Sequence, residues 1–183
     1  MTKMVEDDIS FVDVKDDIGV TSLCSLAETI WYEFFPSIIS MAQIEYMLGK
    51  FLSKEAIEKD MRSGCRYFLC KDGREYVGFI AVQPKLEMST AGGGRRLFLS
   101  KLYLTQEYRG VHLCSKMMKK VQAEAKASDC QEIFLTVNKY NSHAIDVYYH
   151  YGFREEKAVQ TDIGGGFVMD DYVMSCKTDD LKV

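Results

Sequence analysis

The sequence predicts a single mixed α/β domain, and three observations predict it. Apolar residues recur at helical spacing between residues 21 and 61, and the pattern turns strand-like after Gly64. An Asp72-Gly73 pair stands between two apolar runs, which is a strong hairpin signal. Two later strand-like runs, at 96–104 and 132–137, are each followed by a helical run.

The elements follow in order. Residues 9–14 read as a first strand. Leu23, Leu26, Ala27 and Ile30 give 21–35 a helical stripe, and Pro36 stops or bends the chain there. Helices follow at 41–51 and 54–61, with Ser53 as N-cap of the second and Gly64 closing the block. Residues 66–70 and 76–83 are the two arms of the Asp-Gly hairpin, and 91–94 is a flexible connection. The run RLFLSKLYL at 96–104 alternates and then becomes nearly continuous, as a central strand does. Leu113, Met117, Val121 and Ala125, four apart, mark a helix at 113–127. A strand at 132–137 leads to a short helix at 143–151 that Gly152 terminates. A last hairpin, 159–174, turns at Gly164-Gly165-Gly166. The order is β-α-α-α-β-β-β-α-β-α-β-β.

At 183 residues, 47% hydrophobic and 27% charged, the chain is long enough to bury a core without staples. One domain is expected over 1–183, with an ordered core at roughly 9–176 and less ordered polar ends. Lysine and arginine number 23 against 27 acidic residues, a net charge of −4. That argues against nucleic acid as partner and mildly favours a cationic small substrate. No run approaches the roughly 18 apolar residues of a membrane span. Glu6, Asp7 and Asp8 do not make a signal peptide's basic start, so a cytosolic setting without a membrane partner is expected. The six cysteines include no CxxC pair and fit neither a zinc site nor a disulfide framework. His143 and His150 lie on one helix with no third ligand, so no metal is expected.

The chemistry concentrates in residues 99–115. A strand runs into a tight turn at Arg109-Gly110, and a helix starts at once. Free N–H groups at that helix start, aided by the dipole, suit a phosphate or pyrophosphate. Gly110 lets the backbone turn and approach a ligand without a Cβ in the way. Locally, the same unit also reads as plain structure.

Tyr108-Arg109-Gly110-x-x-x-x-Ser115 resembles the coenzyme-A signature of the GNAT N-acetyltransferases, where an Arg/Gln-x-x-Gly-x-Gly/Ala turn binds pyrophosphate through backbone amides. Asn141-x-x-Ala144-x-x-x-Tyr148-x-x-x-Gly152-Phe153 resembles the family's Asn…Ala…Tyr…Gly-Phe motif. Residues 67–69, 77–79, 137–141 and 166–172 look most like the bacterial polyamine (spermidine/spermine) acetyltransferases. The pattern is not followed everywhere: His112 falls at the central glycine of the signature, Cys114 at its last small residue, and Thr136 where many relatives have glutamate.

The resemblance implies an acyl-CoA N-acyltransferase fold, a central twisted mixed (α+β) sheet flanked by helices, with a splay between the parallel strands 96–104 and 132–137. Acetyl-CoA would lie in that gap as co-substrate, held by Leu102, Tyr103, Leu104, Arg109, Gly110, Val111, His112, Leu113, Cys114, Ser115 and Asn141. Leu102 and Leu104 would pair with the pantetheine arm, and a backbone N–H near Tyr103 would hold the acetyl oxygen. His112 either weakens that grip or adds a donor to a phosphate.

Tyr148 is the expected acid toward the leaving thiolate, against a core-packing role; Tyr149 and Tyr151 read more as packing. Glu33 is the candidate base, against a solvated helix glutamate. Cys114 at a helix start is a place where a thiol pKa falls. Asp162, Asp170 and Asp171 read as a solvated strand or turn, or as contacts to a polycation. The acceptor implied is a small amine, polyamines ahead of amino acids; protein or peptide acetylation and a coenzyme-A-binding module with little catalysis are the alternatives. Analogy with the family suggests a homodimer.

Overall fold

The computed structural model of the chain describes residues 9–86, 94–110 and 113–183. Its elements are β1 (Ile9–Asp13), α1 (Asp17–Phe34), α2 (Met41–Phe51), α3 (Lys54–Arg62), β2 (Arg66–Asp72), β3 (Glu75–Lys85), β4 (Arg95–Leu104), α4 (Leu113–Ala127), β5 (Cys130–Asn138), α5 (Ser142–His150), β6 (Arg154–Gly164) and β7 (Phe167–Lys177). Side-chain caps set four helix starts. Asp16 accepts from the Gly19 N–H at 2.8 Å, Ser40 from Gln43 at 3.2 Å, Ser53 from Ala56 at 3.3 Å and Asn141 from Ala144 at 3.2 Å. The Asp16 cap is why α1 begins earlier than its apolar stripe. Pro36 sits in a 3-10 turn, Phe35–Ser37, that bends the chain toward α2.

The seven strands form one mixed sheet in the order β1-β2-β3-β4-β5-β7-β6. One face carries α4 and α5 over Leu97, Leu99, Ile133, Leu135 and Met174. The other carries α1, α2 and α3 over Tyr67, Leu69, Phe79 and Ala81. Of the expected connection at 91–94, only Gly94 lies within the described residues. The C-terminal end is tied down rather than loose: Thr178 Oγ1 donates to the Cys130 carbonyl at 2.7 Å, and Leu181 is buried in the α4–α5 core. Among the described residues no helix is long and apolar enough to cross a membrane.

The feature that shapes the molecule is a fork. β4 and β5 pair in parallel only from Arg95↔Cys130 to Phe98↔Phe134, and both strands then run on. Each keeps its outer neighbour, β4 with β3 up to Leu104 and β5 with β7 up to Asn138. At the crotch the Phe98 and Phe134 rings stack at 4.9 Å. Arg96 lies over Phe134 at 4.3 Å and forms ion pairs with Glu132, at 2.9 Å, and with Glu156. A bulge at Ser100 shifts the β3–β4 register just beyond this point, between Ala81↔Lys101 and Val82↔Leu99.

Candidate active site

Past Phe98 the two strands of the fork present facing, unpaired edges to the gap between them. Thr105 N–H donates to the Val77 carbonyl at 3.0 Å, and this fixes the alternation along the β3–β4 ladder. The backbone groups of Lys101 and Tyr103 are directed to β3, and those of Leu102 and Leu104 into the gap. The Leu104 carbonyl there accepts from Arg109 Nε at 3.1 Å. On the far wall, Lys139 N–H donates to Asp170 O at 3.0 Å, which by the same alternation turns Thr136 and Asn138 toward the gap.

β4 ends in a 3-10 turn, Gln106–Tyr108, followed by Arg109 and Gly110. Gly110 has φ +76°, the left-handed region that favours glycine, and a Cβ there would meet no atom of the described residues within 4 Å. Among the described residues the turn is therefore open. Val111 and His112, two of the expected pyrophosphate residues, lie outside the described residues. Leu113 is buried in the core, Cys114 lines the cleft, and Ser115 is half-buried and is not part of the cleft wall.

Arg109 folds back across its own loop. Its guanidinium lies 4.8 Å from the Phe34 ring and 3.9 Å from the Glu33 carboxylate. Glu33 also accepts from the Gln106 N–H at 3.2 Å. These contacts tie the end of α1 to the turn after β4. Neither half of this brace was readable from sequence, because the partners are far apart in the chain. Glu33 is not among the residues that line the cleft.

The gap opens into a cleft of about 750 Å³ that reaches both faces of the sheet. On the α4–α5 side it is lined by Cys114, Asn141, Ala144, Val147 and Tyr148. Asn141 lines this wall while its side chain caps α5. Tyr148 packs edge-on to Phe153 with ring centroids 5.6 Å apart. Burial pushes its phenol well above the ordinary value, with Cys114 and Tyr103 adding. Burial likewise raises the Cys114 thiol. The fall expected from its place at a helix start is overcome by desolvation.

On the α1–α2 side the cleft is mainly aromatic and apolar. Trp31 and Phe35 rings lie 4.3 Å apart, and Tyr103 meets Trp31 at 5.9 Å and Phe79 at 5.3 Å. Lys101 lines this part with its ammonium 3.1 Å from Ser100 Oγ, and burial lowers its pKa.

The three aspartates that read alike in the sequence separate here. Asp162 accepts from the Gly164 N–H at 2.7 Å in the β6–β7 turn. Asp170 forms an ion pair with Lys139. Asp171 is 7% exposed and lines the cleft from β7, at the register position opposite Asn138. Burial pushes its carboxyl up to about 6, with Asp170 raising it further and Lys139 opposing. Period-two alternation puts Asp171 on one face with the buried Val173, a signal that was present in the sequence.

Comparison with known proteins agrees with this geometry. The chain matches the Acetyltransferase (GNAT) family over residues 27–153. The chain belongs to the GNAT acetyltransferase family. Among curated relatives, the thialysine N-epsilon-acetyltransferase of Sus scrofa is 37% identical over 62 residues, 34% of this chain and 36% of that protein. The spermine/spermidine N(1)-acetyltransferase of Bacillus subtilis (strain 168) is 33% identical over 83 residues, 44% of this chain and 53% of that one. The GNAT chain thus spans between about a third and a half of the length of these relatives. Among solved structures, the PaiA N-acetyltransferase of Thermoplasma acidophilum in complex with coenzyme A superposes with a TM-score of 0.71. That match has 23% identity and covers 92% of this chain and 99% of that one. The expected sheet with its splayed parallel pair is thereby the GNAT fold.

Proposed function

We propose that this GNAT chain transfers the acetyl group of acetyl-CoA to a primary amine, by direct attack in a ternary complex. The observation that carries the reading is the fork, whose β4 edge offers the Leu102 and Leu104 backbone beside an open left-handed turn at Gly110. The pyrophosphate would sit on the turn and the start of α4, with Val111 and His112 as its sequence-level members. The pantetheine arm would add to the β4 edge as an extra strand. Leu102 N–H, deeper in the gap than Leu104, would donate to the acetyl oxygen. One such donor is typically worth about 2.7–4 kcal/mol toward a developing oxyanion.

Tyr148, on the same wall as Cys114 and Asn141, would meet the leaving thiolate. With its phenol raised by burial, it stays protonated at working pH and stabilises the thiolate chiefly by hydrogen bonding. Glu33 is assigned to holding Arg109 and the Gln106 turn rather than to taking the proton, since it stands outside the cleft lining. Six free cysteines suit a reducing compartment, and a cytoplasmic setting goes with the reading.

The acceptor has two readings. The names of the Bacillus subtilis relatives support a polyamine. The mainly aromatic α1–α2 wall, with Lys101 and a single carboxylate among the described residues, favours an acceptor with one ammonium and an apolar or carboxylate-bearing remainder, an amino acid or a peptide N-terminus. Thiol release from acetyl-CoA with spermidine, spermine, lysine and short peptides separates them. Fastest turnover of spermidine or spermine supports the first, and of lysine or a peptide the second. Tight acetyl-CoA binding with no turnover of any amine would leave a coenzyme-A-binding module.

A further inference from the structure

A protonated primary amine, with a pKa of about 10.4, cannot attack a thioester until it loses a proton. We infer that Asp171 binds the acceptor's ammonium and receives that proton. The inference rests on the acetyl-transfer reading and adds the base that reading needs.

Three observations carry it. First, Asp171 is the only carboxylate lining the α1–α2 side of the cleft among the described residues; Asp146 lines the cleft from α5, on the opposite side. Asp60, on α3, accepts from the Tyr67 hydroxyl at 2.9 Å and does not line the cleft. Glu33 is held by the Gln106 turn. Second, Asp171 stands on β7 opposite Asn138, the last residue of β5, beyond the point where β4 and β5 stop pairing. Third, Tyr103 stands on β4 with its ring against Trp31 and Phe79 on the α1–α2 side, and its phenol feels the Asp171 charge and adds to the shift of Tyr148. A proton acceptor and a hydrogen-bond donor thus flank the gap from opposite faces of one sheet.

The balance is simple. The ammonium gives one proton to the Asp171 carboxylate, and the freed nitrogen lone pair forms the C–N bond as the C–S bond breaks. The second nitrogen proton goes to the thiolate beside Tyr148. Asp171 then releases its proton to solvent.

The groups whose charges reach Asp171 are Asp170 on its own strand and Lys139 after β5, and its own charge reaches Tyr103 on β4. The other acidic and basic side chains of the lining are Lys101 on β4, Arg109 after it, and His143, Asp146 and His150 on α5. Burial leaves Asp171 titrating at about 6, ionised at pH 7 and more basic than an ordinary carboxylate.

The test uses the whole chain with spermidine, lysine and a short peptide, taking the fastest as probe. Wild-type kcat/KM should rise with pH through a limb near 6. Asp171→Asn should lower kcat at pH 7 by about 100-fold or more, while the acetyl-CoA Kd by calorimetry stays within about threefold. Its residual activity should climb toward the amine's own pKa instead of levelling above 6, and Asp171→Glu should recover part of the loss. An Asn variant within about threefold of wild type, or one keeping the wild-type limb, overturns the inference. So does a carboxyl NMR titration that places Asp171 near pH 4. Failure of the underlying reading looks different: wild type turns over no amine although Asp171 still titrates near 6, and the inference then falls with it.

Discussion

Tyr148 illustrates what a single side chain brings to this cleft. A free phenol at about 10 is already a reluctant donor to a thiol near 8.5, and burial widens that difference. On the proposed reading its contribution is a hydrogen bond to a sulfur that is losing its carbon partner, an interaction stronger at the transition state than with bound thioester. Tyr148→Phe keeps the ring that packs on Phe153 and deletes only that bond. The expected result is a fall in kcat of about 100-fold with the acetyl-CoA KM changed by less than about threefold, read from steady-state thiol release. Equal turnover would remove Tyr148 from the mechanism. Tyr148 and Gly110 were legible because each belongs to a local pattern, a spaced helix motif and a strand–turn–helix junction. Asp171 was read only as one of three aspartates: alternation sets it on the face of Val173, but what distinguishes it is the tertiary gap it faces.

Among the elements, the fork between β4 and β5 needs something to stop it from closing or tearing further. The ion cluster at its crotch fills that role. Arg96 is 5% exposed and Glu132 3%, so neither charge has water to fall back on. Removing Arg96 leaves Glu132 buried without its main counter-charge, a loss that costs about 3–5 kcal/mol in comparable buried pairs. Arg96→Ala should accordingly lower the urea midpoint markedly. Replacing Arg96, Glu132 and Glu156 together by Met, Leu and Leu should cost much less, because no orphaned charge remains. A single variant no worse than the triple one would show that the cluster does not clamp the fork. The strands themselves were read within a few residues of where they lie, from period and turn residues. The point at which parallel pairing stops was not readable from periodicity, since the change from alternating to nearly continuous apolar residues in 96–104 says nothing of a neighbouring strand. The splay itself entered only through the family resemblance, without that point.

For the molecule as a whole, a buried carboxyl whose pKa is raised is a thermodynamic burden on folding. Asp171 binds its proton at about 6 in the fold and at about 3.9 in the unfolded chain. Between those values the folded state holds more protons, so this group makes stability fall as pH rises from about 4 to 6. Above pH 6 the fold carries the full penalty, roughly 1–2 kcal/mol once solvent screening at the cleft is allowed for. Asp171→Asn removes the charge while nearly keeping the shape. At pH 7 the variant should therefore melt about 2–8 °C above wild type, since each kcal/mol moves Tm by roughly 2–4 °C in a chain of this size. At pH 4 the two should melt together, because the wild-type carboxyl is then protonated in the fold. Calorimetry at the two pH values checks both halves. A variant that melts lower at pH 7 would mean that Asp171 holds the fold together instead of straining it, and an advantage that persists at pH 4 would mean that the gain does not come from removing its charge. The substitution proposed to slow acetyl transfer is thus expected to strengthen the protein, as holds for a charge kept for chemistry at the expense of stability.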